Sequence, residues 1–249
     1  MQRYFAEISY DGTNYHGWQF QPNAPTVQEE VNRALSKIFN QSVKVMGCGR
    51  TDTGVHASQF FLHFDLDQEL DTQKVTFILN KILNQDIVFK RIFKVDSKSH
   101  TRFSATGRRY HYYFGKSRNP FERHFVNFHW KELDIEAMQN ACKILFEYKD
   151  FTSFSKAQTQ TMTNDCSIMD AKWIEEGDKL IFTIKANRFL RNMVRAIVGT
   201  MLDVGLGNTS LEEFRAIIEC KNRDKAGKSV SGHALFLSEV TYPEGILPE

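Results

Sequence analysis

The chain has 249 residues, 41% of them hydrophobic and 25% charged, with a formal net charge of +2. That length suits one large domain or two modest ones with a real core, and the composition excludes a disordered chain. The small net charge excludes a globally basic protein, so any nucleic-acid partner has to be met by local clusters.

In chain order, RYFAEISY reads as a strand that ends at the turn signal Asp11-Gly12. TVQEEVNRALSKIF reads as a helix opened by a Thr26–Glu29 capping box, with Val27, Val31, Leu35 and Ile38 at helical spacing. SVKVMGC is a strand candidate that runs into the loop GCGRTDTGVHA. SQFFLHFDL follows as a strand, with Phe60, Leu62, Phe64 and Leu66 on one face. DTQKVTFILNKIL reads as a helix and DIVFKRIFKV as a strand, which completes the order of a split β-α-β, ferredoxin-like unit. In the second half RRYHYYFG is a strand and DIEAMQNACKILFEY a helix. SIMDAKWIEE and KLIFTIKAN are two strands joined at Gly177-Asp178. RFLRNMVRAIVGTMLDVG reads as a glycine-closed helix, with Arg188, Arg191 or Asn192, and Arg195 on one face. SLEEFRAIIEC is a helix opened by Ser210 and Glu213, and ALFLSEVTY is the last strand.

The predicted class is therefore α+β. It comprises two ferredoxin-like or RRM-like halves with mostly antiparallel sheets and helices packed on them, and an active-site cleft expected between the halves. The expected division falls in SHTRFSATG, giving subdomains 1–104 and 105–249.

Two basic clusters stand out. Lys98, Arg102, Arg108, Arg109, Lys116, Arg118 and Arg123 face a single acid, Glu122, and Lys185, Arg188, Arg191 and Arg195 have no acid between them. Such runs read as solvated faces or as RNA contacts; the tyrosines after Arg109 favour the second, since aromatics beside arginines suit base stacking with phosphate contact. Cys48, Cys142, Cys166 and Cys220 form no C-x-x-C pair, which points to reduced thiols in a cytoplasmic protein without structural zinc. MQRYFAEISYDG has no apolar signal core, and Met193 to Val204 is too short to span a bilayer, so neither secretion nor a membrane is expected.

The loop GCGRTDTGVHA is not a dinucleotide fingerprint, because a strand follows it, and it lacks the Gly-Lys-Ser/Thr of a Walker loop. Asp52 beside Thr and Gly reads as a turn residue or as an ionised carboxylate near Arg50, able to act as nucleophile or base. His56 is a candidate general base, and a hydrolase using Asp52 with His56 or His63 is one reading, although no metal-ligand spacing accompanies it. A pair of RNA-binding halves without chemistry is another, weakened by the missing RNP aromatic pattern.

The loop resembles the signature loop of the tRNA pseudouridine synthase A family. YDGTNYHGWQ with TVQEEV, RFSATGRRYHYY, FTSF and KANRFLRNMVRAIVGTMLDVG resemble four further blocks of that family, in the same order across the whole chain. The resemblance implies an isomerase that converts uridine to pseudouridine at positions 38, 39 and 40 of the tRNA anticodon stem-loop, with no cofactor and no metal. It implies Asp52 as the catalytic residue, acting by covalent attack or by taking a sugar proton on a glycal route. It implies Tyr110 stacked on the extruded uracil with its hydroxyl at C5, Arg195 paired with Asp52, and Arg50 beside the flipped nucleotide. It also implies a homodimer with one tRNA lying across both subunits. The chain departs from the family in reading SVSGHALFL where an A-P-A-x-G-L pattern is common, a segment that helps wall the uracil pocket, and in Thr53, where alanine is known.

Overall fold

The computed structural model describes residues 1–156 and 162–248. The chain forms two compact units, one made of Met1–Gly107 with Phe236–Glu249 and one of Arg108–Leu235.

In the first unit β1 (Gln2–Tyr10) lies between β4 (Ile87–Val95) and β3 (His56–Leu66), antiparallel to both. The short β2 (Met46–Gly47) pairs antiparallel with β3 at Leu62 and His63. The strand order β4-β1-β3-β2 is that of a split β-α-β unit. β9 (Leu235–Thr241) adds a parallel bridge to the start of β3, through Phe236 opposite His56 and Leu237 opposite Ala57.

Register explains the burial of β1 and β3. Tyr4, Ala6 and Ile8 sit opposite Phe64, Leu62 and Phe60 on one face, and Phe5 sits opposite His63 on the other. Both sets are buried, so the strands are apolar on both faces in their middle. On the second face Tyr242 packs against Phe61 and Phe5, at ring distances of 5.3 and 6.0 Å. Between Arg91 and Phe89 the β1–β4 register slips by one residue. There the Asn80 side chain takes both backbone groups of Phe89, at 2.8 Å each, and ties α2 (Thr72–Ile82) to the bulge. α1 (Val27–Phe39) buries Val27, Val31, Ala34 and Leu35, and the Thr26 hydroxyl accepts from Glu29 N.

The expected strand over SVKV is absent. Only Met46 and Gly47 pair as strand, because side chains of α1 satisfy the backbone before them. Ser36 Oγ accepts from Val43 N, Asn32 Oδ1 accepts from Val45 N, and Gln28 Nε2 donates to Val45 O. With those groups satisfied, no neighbouring strand is needed.

The loop that follows β2 is held from the N-terminal block. Trp18 N donates to Thr51 O (3.3 Å), Gly54 N donates to Tyr15 O (3.2 Å), and the hydroxyls of Tyr10 and Thr51 meet at 2.9 Å. Gly17 makes the approach possible. Its φ of 91° is left-handed, and a Cβ there would stand 2.3 Å from the Thr51 carbonyl oxygen.

In the second unit β8 (Lys179–Ala186) lies between β5 (Gly107–Gly115) and β7 (Ile168–Glu176), antiparallel to both, and the short β6 (Asn127–Phe128) runs parallel to β5. Trp173, Phe182, Phe114 and Tyr112 form a chain of ring contacts over this sheet. α3 (Ile135–Leu145) buries Met138, Ala141, Cys142 and Leu145 and packs on β7 and α4 (Met193–Gly205), while α5 (Leu211–Glu219) carries the complete Ser210–Glu213 capping box. α4 begins at Met193, not at Arg188. Asn192 has φ 67° and ψ 1°, a left-handed conformation that breaks the helical run, so Arg188 and Arg191 share no helix face with Arg195. The apolar pattern continues upstream only because Leu190 is buried from a non-helical segment.

Two predictions follow from this packing. Gly17→Ala is expected to cost about 1–3 kcal/mol of stability, from strain at a left-handed position and the forced retreat of Thr51; urea unfolding measures it, and an unchanged midpoint would contradict the loop geometry. Burial, with help from Arg3, pushes the His63 imidazole down from 6.5 to about 4. The fold thus favours the neutral ring, and its contribution is complete above 6.5 and drains away as pH falls towards 4. Between pH 7 and 5 the loss is about 2 kcal/mol. His63→Gln should flatten the acid side of the stability curve by that amount, and a curve parallel to wild type would refute the assignment.

Candidate active site

In the first unit Thr51 is buried, whereas Arg50 is exposed and Asp52 half-buried. Thr51 is fixed through both its hydroxyl and its carbonyl, between the exposed Arg50 and the half-buried Asp52. Asp52 O accepts from Val55 N at 3.1 Å, closing a turn in which Gly54 has φ 72°. The result is an acid on a short, doubly anchored loop immediately before β3.

Neither histidine supports hydrolysis with Asp52. His56 is 1% exposed, its ring stacks on Phe236 at 4.5 Å, and its Nδ1 lies 2.9 Å from Gly12 N and 3.0 Å from Asp11 Oδ1. It joins the N-terminal turn to β3. His63 is on the opposite face of β3, roughly 23 Å along the strand from His56, with Nδ1 at 2.8 Å from Thr101 Oγ1. Among the described residues no group of three or more His, Cys, Asp or Glu could hold a metal ion.

In the second unit Tyr110 is half-buried in β5 opposite Ile184, with its ring edge-on to Phe189 at 5.2 Å. Phe189 thus braces one side of the tyrosine, a role given to it by the non-helical segment before α4. The neighbouring arginines brace the sheet. Arg108 Nη1 donates to Asn187 O (2.8 Å), and Arg109 pairs with Asp170 at 2.6 Å. Lys116 pairs with Glu175, and Lys179 with Glu122 at 2.5 Å. Part of the first basic cluster therefore serves the fold.

Arg195, in the first turn of α4, is half-buried. Its Nε donates to Val230 O (2.7 Å), while Val230 N donates to Arg195 O (3.1 Å). The reciprocal pair fixes the stem of the side chain. The next carbonyl, Ser231 O, accepts from Tyr112 Oη at 3.0 Å, and burial raises the Tyr112 hydroxyl well above its ordinary 10. The segment departing from the family pattern is therefore fastened through backbone atoms. The brace at Phe189 and the clasp at Val230 had no readable signal in the sequence; the Gly12 and Gly17 pair was the available signal for the loop anchor.

The comparisons with known proteins agree with one another. A family model described as tRNA pseudouridine synthase matches residues 6–104 and 141–243. A Parabacteroides distasonis protein named tRNA pseudouridine synthase A is 49% identical over 249 residues, covering 100% of this chain and 99% of the relative. A Bacteroides thetaiotaomicron protein of the same name is 51% identical over 252 residues, covering 100% and 94%. One from Francisella tularensis subsp. novicida is 39% identical over 246 residues, covering 98% and 95%. With the matched blocks spanning both units and the Asp52 loop inside the first of them, this chain belongs to the tRNA pseudouridine synthase family.

Proposed function

We propose that this protein isomerises uridine to pseudouridine at positions 38, 39 and 40 of the tRNA anticodon stem-loop, with Asp52 as the catalytic residue. The observation that carries the reading is the anchored loop: one half-buried carboxylate, held by backbone bonds, in a chain that aligns end to end with tRNA pseudouridine synthases. The N1–C1′ bond of the nucleoside breaks, the uracil turns, and C5 bonds to C1′; the C5 proton leaves and N1 gains one, so no atom is lost. Both routes open to Asp52, covalent attack and sugar deprotonation, require it ionised at the ribose.

Tyr110, Arg50 and Arg195 are assigned to substrate binding. The brace from Phe189 holds the Tyr110 ring for stacking on a flipped uracil, with its hydroxyl as proton handler at C5. Arg50, exposed beside Asp52, suits a phosphate or a wedge beside the extruded nucleotide. The reading includes a cytoplasmic homodimer that binds one tRNA across two subunits. Among the described residues no helix is long and apolar enough to cross a membrane.

Incubating the protein with unmodified tRNA and mapping pseudouridine by position tests the reading. Product at 38, 39 and 40 is expected; product elsewhere in the tRNA would refute the site assignment, and no product would refute the activity. Tyr110→Phe should lower the single-turnover rate by about 10²-fold or more and leave tRNA affinity within a few-fold. Equal loss of both would make Tyr110 structural.

A further inference from the structure

The second unit holds a cavity of about 480 Å³ lined by Lys156, Asn192, Arg223, Asp224 and residues 226–228. Three cations face one carboxylate there, and among the described residues none of Lys156, Arg223 or Lys228 has an ion-pair partner.

The floor of the cavity is built, not accidental. Arg223 Nη1 donates to Ala226 O (3.3 Å) and Gly227 O (3.2 Å), and Nη2 donates to Ser229 Oγ (2.7 Å). Asn192 Nδ2 donates to the same Ser229 Oγ at 2.7 Å, and Gly227 N donates to Thr200 Oγ1 at 2.9 Å. The strand of chain lies so close to α4 that a Cβ on Gly199 would stand 1.9 Å from Lys228 O. Lys156 is set beside this floor by its own N–H, which donates to Arg191 O at 3.0 Å. The heads of Lys156 and Lys228 are exposed, so both can turn towards an occupant.

The lining offers no aromatic ring and sets three basic side chains against one acid, so it suits an anion rather than a stacked base. Its position narrows the choice. Asn192 stands one helical turn before Arg195, and Lys228 two residues before Val230, the residue that clasps Arg195. An anion bound there sits next to the residue assigned to the target nucleotide.

We propose that this cavity is a phosphate subsite that takes a backbone phosphodiester of the RNA strand carrying the target uridine; this rests on the function proposed above. Lys156 and Lys228 supply the charge, and Arg223 holds the frame.

The test uses the double variant Lys156→Gln, Lys228→Gln, because both side chains are exposed and neither braces the fold, unlike Arg223. Binding of unmodified tRNA is measured across a salt series. The dissociation constant should rise about 5- to 30-fold near physiological salt, and the slope of log affinity against log salt should shrink by roughly 1, one neutralised phosphate being worth 0.7–0.9. The single-turnover rate at saturating tRNA should stay within about twofold, and the unfolding midpoint should not move. Lys37→Gln, on the exposed last turn of α1, is the charge control and should leave the slope as in wild type. An unchanged slope in the double variant, as for a site serving a free anion, overturns the proposal, as does an equal change in the control. Pseudouridine formation by wild type is scored separately. Its absence would sink the proposed activity, whereas the binding arm, which needs no turnover, would still decide the subsite.

Discussion

The arrangement of the first unit depends on how the N-terminal block holds Thr51. A backbone N–H from Trp18 takes its carbonyl and the Tyr10 hydroxyl meets its side chain, and both bonds are closed off from water by the packing around Gly17. Each such bond contributes about 1 kcal/mol when made and costs more when one partner is lost in a buried place. Fixing Thr51 fixes the backbone that carries Arg50 and Asp52 on either side of it. The loop then enters β3 at His56, whose ring is locked between Gly12 and Phe236. A stretch that reads in isolation as a turn is thus a rigid mount for one carboxylate. The residues that make it rigid lie more than thirty positions upstream.

The second unit uses the same device with different residues. Arg195 is clasped by reciprocal bonds with Val230, and the following carbonyl is held by Tyr112. These bonds use the main chain of the segment that departs from the family's proline-containing pattern. Backbone carbonyls are present whatever the side chains are, so the bonds from Arg195 to Val230 O and from Tyr112 to Ser231 O do not depend on the side chains of this segment. The Phe189 ring, from the same non-helical stretch that ends at Asn192, sets the attitude of Tyr110.

Much of this was legible in the sequence where periodicity and capping agree. α1, α2, α3 and α5 begin just after Thr26, Asp71, Asp134 and Ser210, each of which accepts a backbone hydrogen bond in the first turn. Two elements depart from the pattern of their sequence for local reasons. SVKV has the composition of a strand, yet Asn32, Ser36 and Gln28 consume its hydrogen bonds. The run from Arg188 has a helical apolar pattern, yet Asn192 turns left-handed and the pattern belongs to two different structures. The parallel bridge of β9 to β3 joins residues about 180 positions apart, and such pairing leaves no short-range mark. At the site, the residues alone show an arginine-flanked acid; the catalytic role proposed for it comes from resemblance, and its anchoring from the structure.

The central claim is that the carboxylate on this mount performs the chemistry and does not merely hold the loop. Single-turnover conversion of unmodified tRNA by Asp52→Asn, with tRNA affinity measured on the same preparation, tests it most directly. The account predicts a fall of at least about 10³-fold in rate, with affinity and unfolding midpoint close to wild type. Pseudouridine formed at near wild-type rate by Asp52→Asn would contradict it.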